Sequence, residues 1–296
     1  MQHRTELRNM AAPSLQKQRF ELKYIMDEAQ ALAIRDFVRC YLDLDPHGEG
    51  QPDLSYPVHS LYLDSPSMQL YHSTINGNKN RFKLRVRFYD ENQDSPVFLE
   101  IKRRMNNIIS KKRVGVKREG LFQILSGQTP HNDLVLFDTS DSNDSSLRAS
   151  QEDALHDFTA QVNQLQAQPV SHVAYQREAW VLPESNAVRV TLDRKVCCEA
   201  DPQARMLIEM HQPTFVFGDQ VILELKFTDR FPNWFRELVE SYHLMQCGAA
   251  KYVDGITLMD KDAMSDMVES QMLAQQIGPR DHLKRRQAAT VSSISK

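Results

Sequence analysis

The chain has 296 residues, of which 41% are hydrophobic and 25% charged, and its formal net charge at pH 7 is −3. This composition is typical of a globular protein and excludes a wholly disordered chain, a fibrous repeat and a general polycation. The four cysteines contain no C-x-x-C pair, so we expect neither a disulfide framework nor a zinc knuckle. No run of about 18 uncharged apolar residues occurs and the N-terminus is charged, so we expect a soluble, cytoplasmic protein.

The charge is distributed unevenly along the chain. Thirteen Lys and Arg but only four Asp and Glu lie between Lys79 and Arg118. Between Asp133 and Asp157, seven acidic residues accompany a single basic one, Arg148. The strongly basic middle segment predicts an anionic ligand.

The first half of the chain is predicted to begin with a flexible arm, residues 1–17, followed by an antiparallel meander. Asp27 is predicted to cap a helix of roughly fifteen residues with Leu32, Phe37, Val38 and Tyr41 on its apolar face. Alternating or apolar runs bounded by turn signals predict strands at 19–24, 58–63, 82–89, 97–102 and 108–116.

The second half is predicted to continue the same single domain, which spans residues 18–260. A short helix is predicted at 121–125, a solvated insert near 139–150 and a polar helix at about 152–166. Pro232 is predicted to open a further helix, and a C-terminal helix and basic tail occupy 261–296. Further strands are predicted at 173–182, 187–196, 206–210 and 221–227.

Charged side chains recur on one face of these strands and apolar side chains on the other, as in the pair Arg85 and Arg87 against Val86. A sheet with one face in water would give the same alternation. However, the charged face is mainly Lys and Arg with a few isolated Glu, and the amphipathic helices need an apolar surface to pack on. A sheet curled on itself would enclose the charged face as a tunnel for a polyanion.

Other kinds of site receive little support from the sequence. It has no phosphate-binding Gly-rich loop, no H-E-x-x-H and no G-x-S-x-G. Aromatic residues that could stack on bases are missing from the basic face, so we expect no nucleic-acid partner.

Nine short motifs occur in the order in which they occur in the VTC domain. The motifs are RFELKY (19–24), SLYLD (60–64), LRVRFY (84–89), FLEIK (98–102), KKR (111–113), YQREA (175–179), VRVTLD (188–193), LELK (223–226) and AKYVDG (250–255). The chain therefore resembles the polyphosphate polymerase domain of the vacuolar transporter chaperone complex, a CYTH-like branch of the triphosphate tunnel metalloenzyme superfamily. The resemblance covers about residues 19–258.

The resemblance implies an α+β fold, an eight-stranded antiparallel β tunnel barrel with helices packed on the outside. It implies transfer of the γ-phosphate of a nucleoside triphosphate such as ATP onto a growing polyphosphate chain, with Mn²⁺ or Mg²⁺. By position, the implied catalytic residues are Lys23, Arg85, Arg87, Lys102, Arg177, Arg189, Lys226 and Lys251. Implied substrate-binding residues are Lys111, Lys112, Arg113, Glu21 and Glu100, and the implied metal ligand is Glu224. The register of Lys111, Lys112 and Arg113 is ambiguous by one residue.

The sequence also departs from related families. Triphosphatases and cyclases of the superfamily open with Glu-x-Glu-x-Lys, but here Arg19 takes the first position and only Glu21-x-Lys23 remains. This favours the polymerase, while a triphosphatase acting on inorganic triphosphate or nucleotides and a non-catalytic polyphosphate-binding module stay open. Eukaryotic relatives carry membrane helices and an inositol-phosphate-sensing domain, and we expect neither here. A separate membrane partner is compatible with the sequence.

Overall fold

The structure, a computed structural model, describes residues 19–137, 145–183, 187–260, 266–270 and 272. The predicted arm, residues 139–144 of the predicted insert and most of the tail 261–296 lie outside the described residues.

One antiparallel sheet organises the described residues, and the predicted α+β class is confirmed. Eight of its strands have eight or more residues and three have two, among the residues described. The strands are β1 (Arg19–Met26), β2 (Asp43–Leu44), β3 (Ser55–Asp64), β4 (Asn80–Phe88), β5 (Val97–Met105), β6 (Ile108–Val116), β7 (Val135–Leu136), β8 (Gln168–Val181), β9 (Val188–Ala200), β10 (Thr214–Phe215) and β11 (Val221–Thr228). The spatial order is β1-β11-β9-β8-β3-β4-β5-β6-β7, with β10 paired to β9 and β2 to β8. Each of the eight long strands overlaps a predicted strand.

Helices pack against this sheet. They are α1 (Glu28–Val38), α2 (Gln69–Ile75), α3 (Arg118–Leu125), α4 (Ser145–Leu165), α5 (Asn233–Ser241) and α6 (Lys251–Leu258). The apolar face is covered by α1, α3, α4 and α5, whereas Tyr252 of α6 stacks on Tyr62 of the charged face. Ile34 of α1 and Phe235 of α5 are fully buried in one cluster with Leu223 of β11. Phe158 of α4 is fully buried in a second cluster with Leu99 of β5. Burial of each such side chain contributes roughly 1.5–3 kcal/mol, so the helices fix the apolar face as the outer one.

The structure differs from the sequence prediction on the face that α1 buries. Asp27 caps the helix as predicted, since its carboxylate accepts a hydrogen bond from the backbone N–H of Gln30 at 2.8 Å. Val38 is buried as predicted, but its buried neighbours on the helix are Ala31 and Ile34, while Leu32 and Tyr41 of the predicted face are 41% and 40% exposed.

The predicted strand 206–210 is wrong. Met206 has φ of 51°, and its backbone N–H donates to the buried carboxylate of Asp201, as does that of Arg205. The N–H of Ile208 donates to Glu91. Because side chains take up these backbone donors, the segment forms an irregular loop, and the two-residue β10 pairs with β9 in its place.

Two helices were not predicted and one begins earlier than predicted. The sequence prediction omitted α2 and α6, which are only seven and eight residues long. The start of α4 falls at Ser145, inside the predicted insert. No glycine or proline interrupts 145–165, and Arg148 pairs with Glu152 one turn later. None of the described helices combines the length and apolar character needed to cross a membrane.

Candidate anion-binding site

A cavity of about 240 Å³ lies on the charged face of the sheet. Its charged lining residues are Glu21, Lys23, Arg81, Lys83, Arg85, Arg87, Lys102, Arg104, Arg177, Glu224, Lys226 and Lys251. Nine of the implied site residues are among them. Because basic side chains dominate this lining, the cavity is a candidate site for an anion.

Strand pairing brings opposite charges together in the cavity. In the antiparallel pair of β1 and β11, Lys23 lies opposite Glu224, and Glu21 lies opposite Lys226. Facing pairs of opposite charge stabilise a sheet by roughly 0.2–1 kcal/mol each. These two facing pairs therefore belong to one charge network.

Glu224 is the acidic centre of this network and is only 4% exposed. Its carboxylate oxygens lie 2.6 Å from Lys226 Nζ, 3.0 Å from Lys251 Nζ and 3.3 Å from both Lys23 Nζ and Arg177 Nη2. Burial alone would raise the pKa of Glu224, but these cations outweigh it and hold the pKa well below its usual range. Glu224 thus stays ionised and fixes the positions of four basic side chains.

A second buried carboxylate, Asp193 on β9, forms a bidentate ion pair with Arg177. Arg177 Nε and Nη2 each donate to Asp193 at 2.7 Å, and Lys251 Nζ lies 2.7 Å from the same carboxylate. The sequence analysis did not single out Asp193 as a site residue. The only signal for it was its position on the charged face of β9, two residues after Thr191.

Glu100 on β5 gathers a third group of cations and is fully buried. Arg85 Nη2 lies 2.6 Å from Glu100, and Lys111 Nζ and Arg113 Nη1 lie at 3.5 Å and 3.4 Å. Burial lowers the pKa of Lys111 to about 8, and the nearby arginines add to this shift against the pull of Glu100. Glu100, Lys111 and Arg113 do not line the cavity themselves, and Glu100 connects the two cations to Arg85, which does.

The structure removes the ambiguity in the KKR motif and corrects the placement of Lys112. Its ammonium lies 2.6 Å from the carboxylates of both Asp153 and Asp157 on α4. Successive residues of a strand point to opposite faces, so Lys112 faces the outer helix when Lys111 and Arg113 face Glu100. Lys112 does not line the cavity.

Arg189 also lies outside the cavity lining. Its Nη2 is 2.8 Å from the buried carboxylate of Asp45 and donates to the hydroxyl of Tyr56 at 3.2 Å. Asp45 follows β2 and comes beside β9 only in the folded chain. Arg189 is therefore paired with Asp45 outside the cavity that Arg177 lines.

Lys102 and Glu21 join strands from distant parts of the sheet. Lys102 Nζ on β5 lies 2.9 Å from Glu21 Oε2 on β1, although five strands lie between them in the sheet order. Burial would raise the pKa of Glu21, but Lys102 and Lys23 hold it well below its usual range. The sheet is therefore curved enough to bring the charged side chains of β1 and β5 into contact.

Other lining residues were missed by the sequence analysis. Tyr62 and Tyr175 accept hydrogen bonds from Arg85 and Arg87 at 3.4 Å and 3.3 Å. Lys83 forms no ion pair with a carboxylate among the described residues, and burial lowers its pKa to about 8. The signal for Lys83 was its place between Arg81 and Arg85 on the alternating strand β4.

Arg87 provides an unused donor. Its Nε is buried and has no hydrogen-bond partner in the part of the chain that the structure describes. Buried polar groups are normally satisfied by protein, water or ligand. Because Arg87 also lines the cavity, its guanidinium is a candidate donor to an anion there.

The cavity does not contain a preformed metal site. Among the described residues, no group of three or more His, Cys, Asp and Glu side chains is arranged to hold a metal ion. Glu224, the implied metal ligand, is surrounded by basic side chains that a cation would have to displace. The residues present therefore do not fit a resident divalent cation.

Comparisons with known proteins place the chain in a family. The family model described as the VTC domain matches residues 18–260. A search of curated proteins gives no match. Among matching solved structures is one described as a putative adenylate cyclase from Bacillus halodurans, with 11% identity and a TM-score of 0.43. That match covers 79% of this chain and 94% of the other.

Proposed function

This chain belongs to the VTC domain family, and from that membership we propose that it is a polyphosphate polymerase. It transfers the γ-phosphate of a nucleoside triphosphate, ATP, onto a growing chain of inorganic polyphosphate. The observation that carries the proposal is the row of cations on β4, formed by Lys83, Arg85 and Arg87, which faces one cavity and includes Arg87, whose Nε has no hydrogen-bond partner among the described residues.

The chemistry of the cavity suits phosphoryl transfer. This reaction requires charge neutralisation and alignment of the reacting oxygens, with little covalent work by the protein. The guanidinium group of arginine can form bidentate hydrogen bonds with phosphate oxygens, while the ammonium group of lysine acts as a compact charge. Arg87 supplies a guanidinium with no carboxylate partner among the described residues. Arg85 and Arg177 supply positive charge held in place by Glu100 and Asp193, and the lysines around Glu224 supply the compact charges.

The proposed reaction is a direct transfer between phosphates. A terminal oxygen of the acceptor chain forms a bond to the γ-phosphorus, the bond from that phosphorus to the β–γ bridging oxygen breaks, and ADP leaves. Arg87 and Arg177 bind the phosphate oxygens during this step. Glu224 acts indirectly, because its charge holds Lys23, Lys226 and Lys251 in place.

We further propose that the sheet closes as an eight-stranded tunnel, through which triphosphate and product chain pass. Support comes from the ion pair of Lys102 with Glu21 across the sheet order and from the helices on the apolar face. Mn²⁺ or Mg²⁺ is proposed to enter as the metal complex of the nucleotide, as part of the substrate, since the carboxylates of the cavity are already paired with basic groups.

A turnover assay tests the proposal. Purified protein is incubated with ATP and Mn²⁺, with and without a short polyphosphate primer, and products are resolved on a gel while orthophosphate is counted. We expect a ladder of lengthening polyphosphate with equivalent ADP. Orthophosphate without a ladder would instead identify a triphosphatase, and tight polyphosphate binding without ADP would identify a binding module.

Lys83 predicts a pH dependence of anion affinity. Because burial lowers its pKa to about 8, Lys83 loses its charge as the pH rises through that value, and a bound anion favours the protonated form. We expect Lys83→Arg, which stays charged, to bind inorganic triphosphate progressively better than wild type between about pH 7 and about pH 9. The ratio of the two dissociation constants should change about threefold to tenfold.

Comparing the two proteins at each pH cancels the ionisation of the ligand itself. Isothermal titration calorimetry gives both constants, and Lys112→Arg on the outer face is the matched control, expected to give a constant ratio. A ratio for Lys83→Arg that stays flat across the same range would contradict the prediction.

A further inference from the structure

Two arginines face each other where β4 begins and β5 ends. Arg81 lies directly opposite Arg104 in the pairing of these strands, and both line the cavity. Arg81 donates to the backbone carbonyl of Asn78, and Arg104 Nε donates to that of Asn106 at 2.8 Å. Neither arginine forms an ion pair with a carboxylate among the residues that the structure describes.

Most other cations of the cavity have a carboxylate partner: Arg85 pairs with Glu100, Arg177 with Asp193 and Lys226 with Glu224. Lys83 also lacks one among the described residues, but the lysine that faces it, Lys102, pairs with Glu21. Arg81 and Arg104 are a directly facing pair in which neither member has a carboxylate partner among the described residues.

On the outer face of β5, the neighbouring arginine does have an acidic partner. Arg103, the neighbour of Arg104, lies 3.8 Å from Asp157 and its guanidinium stands over the ring of Phe82. The unpaired charge is thus specific to the cavity side of the strand.

Like charges directly opposite each other destabilise an antiparallel pair. Burial and the facing Arg104 both lower the pKa of Arg81, in the direction expected for this repulsion. An anion placed between the two guanidinium groups would remove this repulsion.

The position of the pair identifies the class of anion. Alternate residues of a strand are about 6.6 Å apart, so the row from Arg81 through Lys83 and Arg85 to Arg87 extends over about 20 Å. Met105, next to Arg104, is 58% exposed, so this end of the row opens to solvent. A linear anion that binds at Arg87 and extends along β4 would reach Arg81 last.

We propose that Arg81 and Arg104 form a distal subsite for linear inorganic polyphosphate, which holds phosphate groups beyond those bound at Arg85, Arg87 and Arg177. The subsite gives the protein its preference for long chains over triphosphate. This inference rests on the proposed function and adds to it the residues that distinguish chain length.

Direct binding measurements test the subsite. Isothermal titration calorimetry at one fixed ionic strength compares inorganic triphosphate with a linear polyphosphate several times longer, for wild type, Arg81→Gln, Arg104→Gln and the double variant. We expect the double variant to bind the long chain about tenfold or more weakly, the loss of two charge-assisted contacts, and triphosphate within about twofold of wild type. Arg103→Gln, which removes a neighbouring charge from the outer face, is expected to change neither.

The outcomes separate the subsite from the proposed function. Equal weakening of both ligands in the double variant, or a long-chain affinity that it leaves unchanged, would overturn the subsite while ATP turnover by wild type still supported the polymerase. Absence of binding and turnover in wild type would overturn both. Thermal melting of each variant verifies folding, and the single variants, each expected to show part of the loss, replace the double variant if it melts early.

Discussion

Glu224→Gln is expected to lower ATP turnover by about a hundredfold or more at a temperature where the variant remains folded. The substitution keeps the shape of the side chain but removes the charge that fixes Lys23, Lys226 and Lys251 around one carboxylate. Loss of preorganised charge of this kind typically costs about 10²–10³ in rate. The measurement is release of ADP from ATP at saturating substrate, with circular dichroism to confirm folding.

Glu178→Gln is the matched control for this variant. Glu178 is fully buried on the outer face of β8 and pairs with Arg35 and Arg194 at 2.7 Å and 2.8 Å. Both variants remove a buried negative charge, so both are expected to lower the melting temperature. Only Glu224→Gln is expected to lose turnover in the folded state. Equal turnover in the two folded variants would show that Glu224 does not organise the site.

Arg177→Met is expected to lower the free energy of unfolding by about 3–5 kcal/mol. Asp193 is fully buried, and this substitution removes its two-point partner and leaves it with Lys251 alone. Removing one member of a buried ion pair costs this much because the remaining charge has lost its solvent and its partner. Urea unfolding of wild type and variant, followed by circular dichroism, measures the difference.

Arg35→Met provides the comparison on the other side of the sheet. Arg35 also makes a two-point contact, with Glu178, but Arg194 and the indole N–H of Trp180 continue to satisfy that carboxylate after the substitution. The loss in unfolding free energy is therefore expected to be clearly smaller than for Arg177→Met. A loss for Arg177→Met of less than about 1 kcal/mol, the range of an exposed ion pair, would contradict the prediction.

The alternation of charged and apolar residues carries most of the fold prediction. Because side-chain direction repeats every two residues along a strand, the sequence places Arg85 and Arg87 on one face and Val86 on the other without reference to any other strand. Amphipathic helices then identify which face is covered. Eight long strands and the α+β class follow from these local patterns, together with the VTC resemblance.

Local patterns fail where backbone groups are satisfied by distant side chains. The segment 206–210 has the composition of a strand, but its N–H groups bond to Asp201 and Glu91. The short helix α6 has too few residues for a periodic signal. Its Lys251 is nevertheless carried by packing into contact with Asp193 and Glu224.

The sequence by itself determined that an antiparallel sheet would carry a basic face, since residue type and alternation are local properties. Only the tertiary structure decided which cations are neutralised and which are free. Strand register places Glu100 opposite Arg85. Asp45, from a remote loop, forms an ion pair with Arg189, and Asp157 of α4 forms one with Lys112. These pairings depend on contacts between segments far apart in the chain, and Coulomb interactions at about 3 Å are decided by that geometry.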